Sequence, residues 1–135
     1  TVELAPQAAG VIPARIAKSL SFMLPDGPAL IVAAGDAKVD NPRFKAQFHA
    51  KAKMLSADEV VQRIGHAVGG VCPFAIREDV RTFLDVSLKR FDTVFPACGS
   101  ANSAIELSCE ALEAAAQGFA GWVDVCKGWQ AVAPS

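Results

Sequence analysis

The chain has 135 residues, 52% of them hydrophobic, with 13 basic against 14 acidic side chains and a net charge of −1. Such a length makes one domain with one buried core, and the even charge argues against a protein that coats duplex DNA through many phosphate contacts. The longest apolar runs, such as "ALIVAA", fall far below the roughly 18 residues of a membrane helix, and four cysteines without a C-x-x-C pair beside two histidines give no zinc pattern.

In chain order, Thr1 can cap a short helix, "VELAPQAA", that stops at Gly10. Apolar residues at 16, 20 and 22 with polar ones at 19 and 21 predict a strand from Ile16 to Met23. "PDGP" at 25–28 is a turn by composition, and "ALIVAAG" behind it suits a strand buried on both faces, so the two form a hairpin. Asn41 and Pro42 read as an N-cap and a first helical position for a helix through Phe48, and "KAKML" as a short strand. Ser56 and Glu59 form a capping box ahead of "VVQRI", with Gly65 placed to end that helix. "RTFLD", "TVFPA" and "AIEL" are short strands, Cys109 to Gln117 a helix stopped by Gly118, and "GWVDV" the last strand. Hairpins mixed with single helices favour an α+β fold: a single domain with a mixed, mostly antiparallel sheet and flanking helices. The boundaries are 1–126 for the domain and 127–135 for a loosely attached tail without periodicity.

"AVGGVCPFAI" at 67–76 stands apart, because adjacent glycines and a proline surrender helix and strand stability within an apolar stretch. Close access of something to this backbone explains it; a strand entry or bulge without a ligand is the plainer explanation. Lys18, alone in an apolar strand, must leave its ammonium exposed or paired, and from spacing alone it reads as a surface lysine. Cys72 with His66 or His49 as base could be a nucleophile, but no triad pattern accompanies it, and buried cysteines mostly act as small hydrophobes. Asp85 and Gly99 read by themselves as turn residues, and Asp36 and Asp40 as structural caps.

Five segments together, "RIAKSLSF" (15–22), "AAGDAKVD" (33–40), "GHAVGGVCPF" (65–74), "FLDVSLKRFDTVFPACGS" (83–100) and "AIELS" (104–108), resemble the YbaK family. That family includes the editing insertion domain of bacterial prolyl-tRNA synthetases and its free-standing relatives. The resemblance runs from about Thr1 to Val125, and relative to the family the start looks trimmed. It implies a curved sheet and trans-editing hydrolysis of mischarged aminoacyl-tRNA, mostly tRNA for proline carrying a smaller residue such as alanine or cysteine. The implied partner is the acylated 3′ adenosine of the acceptor end, with a prolyl-tRNA synthetase as a further one. No membrane contact, metal or organic cofactor is implied, and the location expected is cytoplasmic, in keeping with scattered thiols and no visible leader.

By the same resemblance, Lys18 is the family's essential lysine, placed at the terminal adenosine and its phosphate. Gly69 and Gly70 offer backbone amides to the aminoacyl carbonyl, followed along the substrate by Val71, Cys72 and Pro73. The turn at Gly99 and Ser100, with Asn102 and Ser103 beside it, closes the aminoacyl pocket and contacts the terminal nucleotide, and Asp85 is a further substrate-binding residue. An aminoacyl ester is already activated, so holding it, placing a water and stabilising the oxyanion are enough. Phe22, Ile31 and Phe74 are apolar candidates for the pocket that selects by size. The alternative is a tRNA- or nucleic-acid-binding module of the same fold without turnover.

Overall fold

The computed structural model describes residues 13–66, 72–97 and 105–130. A 3₁₀ turn at Pro13–Arg15 leads into β1 (Ile16–Leu24), which turns through Pro25 and Asp26 into β2 (Gly27–Ala34). The two pair antiparallel from Ala17↔Ala34 to Leu24↔Gly27. Proline and aspartate preset such a turn, so this hairpin is fixed locally. After β3 (Lys38–Val39) come α1 (Asn41–Phe48) and α2 (Ala57–Glu59), which runs on as a π-helical turn over Val60–Ile64. Then follow β4 (Arg81–Asp85), a 3₁₀ turn at Val86–Arg90, β5 (Thr93–Pro96), β6 (Leu107–Ser108), α3 (Cys109–Ala115), β7 (Phe119–Val123) and β8 (Cys126–Lys127).

The main sheet is ordered β6-β5-β1-β2-β4-β7, and β3 pairs with β8 beside it. It is a curled mixed sheet in an α+β domain. Antiparallel pairing belongs to β1–β2 and β5–β6, whereas β1–β5, β2–β4 and β4–β7 are parallel. β2 is the centre, with every residue from Pro28 to Ala34 buried, as a continuous apolar run predicts.

Side chains alternate across the hairpin. Lys18, Leu20 and Phe22 share one face with their β2 neighbours Ala33, Ile31 and Ala29. α1 covers this face: Phe44 and Phe48, one helical turn apart, stack on Phe22 and Phe83 with ring centroids about 5 Å apart. On the other face Leu30 joins Leu55, Val60, Ile64, Ile76 and Val80 in a smaller cluster that seats α2.

Several local details differ from expectation. Asp40, not Asn41, caps α1: its backbone is extended and its carboxylate accepts from Arg43 N at 3.2 Å, leaving Asn41 and Pro42 in the first turn. The Asp40 amide donates to Val125 O, which anchors the cap one residue earlier. "KAKML" forms only a single bridge, Met54 to Phe22. Among the described residues of "AIEL" only Leu107 is in a strand, together with Ser108, and the strand expected last, from Gly121, is β7 from Phe119 to Val123, with β8 after it. Lys127 belongs to β8, and Trp129 packs against the main core with its indole N–H on Cys126 O, so residues 127–130 are attached where a loose tail was expected. The capping box is as expected, with Ser56 and Glu59 each bonded to the other's backbone amide, and Gly65 closes the helix at φ 100°. The helix expected at "VELAPQAA" lies outside the described residues.

Candidate functional site

Lys18 is half-buried on the α1-covered face, and its ammonium donates to two backbone carbonyls in the turn after β2, Ala37 O and, at 3.3 Å, Gly35 O. An ammonium has three donors, and the third has no acceptor among the described residues. Burial lowers the Lys18 pKa from its ordinary 10.5, against the opposing pull of Cys126 and Asp36. The lysine that sequence spacing alone makes a surface residue is therefore a partly desolvated cation on a fixed backbone cradle.

Gly35 is required there, because a Cβ at that position would stand 2.2 Å from Pro13 O. Between Gly35 and Ala37, the Asp36 carboxylate meets Arg90, which grips it with two bonds of 2.5 and 2.9 Å. This hydrogen bonding holds the Asp36 carboxyl below its usual 3.8. Asp36 is thus half of an ion pair, not the cap expected.

Asp85 lies at the same end of the sheet. It is 0% exposed and accepts from Ser87 N at 2.9 Å and Val125 N at 3.0 Å. Burial, followed by the charge of Asp85 and a hydrogen bond to it, pushes the Cys126 thiol up to about 12. Cys126 interacts with both Lys18 and Asp85, so the structure brings these two expected site residues into one neighbourhood. The Asp85 carboxylate has both oxygens engaged in holding the chain.

Of the glycine loop, Gly69, Gly70 and Val71 lie outside the described residues, as do Gly99, Ser100, Asn102 and Ser103. The loop's two shoulders are described and firmly held. His66 Nε2 donates to Phe74 O at 2.8 Å, since a carbonyl can only accept, and Cys72 Sγ points at the same oxygen at 3.8 Å. That ring nitrogen is a donor here and not a base for the thiol. Gln117 N bonds Pro73 O at 2.9 Å, and the Gln117 side-chain amide brackets Ile76 by accepting from its N–H and donating to its carbonyl. His49 ends α1 in the left-handed region, φ 57°.

Phe22 and Ile31, suggested as pocket walls, are core residues; Phe74 is partly buried against that core. A cleft of about 460 Å³ lies among Asn41, Pro42, Lys45, Lys51 and Ala52, and another of about 430 Å³ is lined by Lys89, Glu110, Glu113 and Trp122 with their neighbours; Lys18 lines neither. Among the described residues no cluster of histidine, cysteine and carboxylate side chains could hold a metal, and no helix is long and apolar enough to cross a membrane. Arg90 and Gln117 escaped the sequence reading. Their partners lie 54 and 41 residues away, and no short-range pattern marks such pairs.

Compared with known proteins, residues 1–115 match the family described as the aminoacyl-tRNA editing domain. The uncharacterized protein YwhH of Bacillus subtilis (strain 168) is 55% identical over 131 residues, 96% of this chain and 83% of that protein. The proline–tRNA ligase of the same organism is 33% identical over 73 residues, 53% of this chain but 13% of the ligase. A crystal structure of a proposed trans-editing enzyme for prolyl tRNA synthetase superposes with a TM-score of 0.78 at 25% identity, covering 94% of this chain and 85% of that one.

Proposed function

Because the chain belongs to the aminoacyl-tRNA editing domain family, we propose that it hydrolyses, in trans, the ester of mischarged tRNA for proline carrying a small residue such as alanine or cysteine. The observation that carries this reading is the Lys18 ammonium, half-buried, held by two carbonyls and with one donor left over among the described residues. A fixed cation in a partly desolvated position suits the phosphate of a terminal adenosine or the oxyanion formed beside it. The likeness to a proposed trans-editing enzyme for prolyl tRNA synthetase supports the choice of tRNA.

In this reading a water adds to the acyl carbon while the bond from that carbon to the ribose oxygen breaks. The ribose oxygen takes up a proton, and free amino acid and tRNA leave. The neighbouring ribose hydroxyl positions the water, so no covalent nucleophile is needed. Gly69 and Gly70 offer amides to the carbonyl; Val71, Cys72, Pro73, Gly99 and Ser100 flank the terminal nucleotide; Asp85 secures the scaffold around Lys18. A prolyl-tRNA synthetase is the partner that would deliver the substrate. Selection by size suits small residues, since an apolar pocket discriminates one methylene by only about 1–3 kcal/mol, whereas steric exclusion of proline is far stronger.

The test follows loss of the ester from alanyl-, cysteinyl- and prolyl-tRNA(Pro). Hydrolysis of the first two and sparing of the third is expected, with Lys18→Ala slowing turnover by about 100-fold or more while the fold is retained. Retention of the tRNA with the ester intact would make the chain a binding module of the same fold and overturn the proposal.

A further inference from the structure

We infer that Asp36 and Arg90 are the positioning pair of Lys18: their ion pair fixes the turn whose Gly35 and Ala37 carbonyls hold the ammonium. The inference rests on the reading above, in which Lys18 acts on the acylated end.

The geometry runs outward from the lysine. Both acceptor carbonyls flank Asp36, and the Gly35 carbonyl shares a peptide plane with the Asp36 amide, so any rotation of the Asp36 backbone swings it. On one side the turn abuts the Pro13 carbonyl so closely that not even a methyl group fits at Gly35. On the other side the Asp36 side chain is clamped through both oxygens. Arg90 is itself fixed, with its side chain 9% exposed. Its Nε donates to Ser87 O at 2.9 Å, and its guanidinium lies against Phe91 and Trp129, 4.9 and 5.2 Å from their ring centroids. Ser87 closes the circuit by accepting from Ala34 N, at the end of β2, at 3.1 Å. The guanidinium thus ties the 3₁₀ turn after β4 to the turn after β2. A solvent-exposed ion pair contributes little, but a planar fork locked by three bonds and two rings sets orientation as well as charge. Lysine in its place keeps the charge and loses the fork.

The experiment uses the full chain with alanyl-tRNA(Pro) and the variants Asp36→Asn and Arg90→Lys. Each is expected to lower kcat by about tenfold or more with KM within about twofold, because a cation displaced by an ångström loses transition-state contact before it loses binding. The double variant is expected to fall no further than the worse single one, as two halves of one device do. An independent readout is the Lys18 side-chain NMR resonance, assigned by its loss in Lys18→Ala. Both single variants should move it toward the position of solvated lysines. Folded variants with wild-type kcat, or an unmoved Lys18 resonance, would overturn the inference. A wild-type protein that spares every mischarged tRNA would overturn the proposed function alone, since the resonance reports on the positioning pair without turnover.

Discussion

Asp36 turns a local charge into a pH dependence of the whole fold. Its carboxyl titrates below the ordinary 3.8, first because of the hydrogen bond from Arg90 and against the opposing effect of burial. A carboxylate whose folded pKa is depressed stabilises the protein fully above its unfolded value and loses that contribution as pH falls through the folded one. Denaturant titrations at pH 7 and pH 3 should therefore show wild type losing more stability than Asp36→Asn, and equal losses would mean that the pair adds nothing to folding. From its sequence neighbours Asp36 is indistinguishable from Asp40, and both read as caps. Asp40 is one, since the Arg43 amide lies three residues ahead, whereas Asp36 is committed by an arginine 54 residues away.

Elements whose bonds are local were legible, and those whose bonds are remote were not. The capping box at Ser56, the Pro25–Asp26 turn and the Gly65 stop each use partners within a few residues. "KAKML" and "AIEL" have apolar residues enough for strands, but extended pairing needs a free partner edge along their length. The first finds one bridge on β1, and among the described residues of the second only Leu107 pairs with β5, beside Ser108. The segment closing the glycine loop is held from outside itself by Gln117. Gln117→Ala removes both bonds to Ile76 and should cost about 2 kcal/mol of stability. Hydrogen exchange at the Ile76 amide should quicken in the same variant while that of β2 changes only by the global loss; an unchanged Ile76 amide would show that the bracket is dispensable.

At the scale of the molecule, the face that carries Lys18 exists because α1 lays two aromatic rings across β1 and β4. Phe44 is 0% exposed and touches the rings of both Phe22 and Phe48. Phe44→Ala should lower stability by about 3–5 kcal/mol through lost burial and a cavity, read from the denaturation midpoint, and a loss under 1 kcal/mol would show that the helix is not what seals that face. By itself the sequence determined the α+β class, the central hairpin, the capping box at Ser56 with the Gly65 stop, and a family resemblance with its candidate lysine, because these rest on periodicity, turn chemistry and short motifs along the chain. Only the tertiary structure decided the parallel neighbours of β1, β2 and β4, the docking of Trp129, the inward duty of Asp85 and the cradle of carbonyls around Lys18. Those depend on residues far apart in sequence meeting where backbone groups left over from the sheet need partners, and no local pattern encodes which ones will meet.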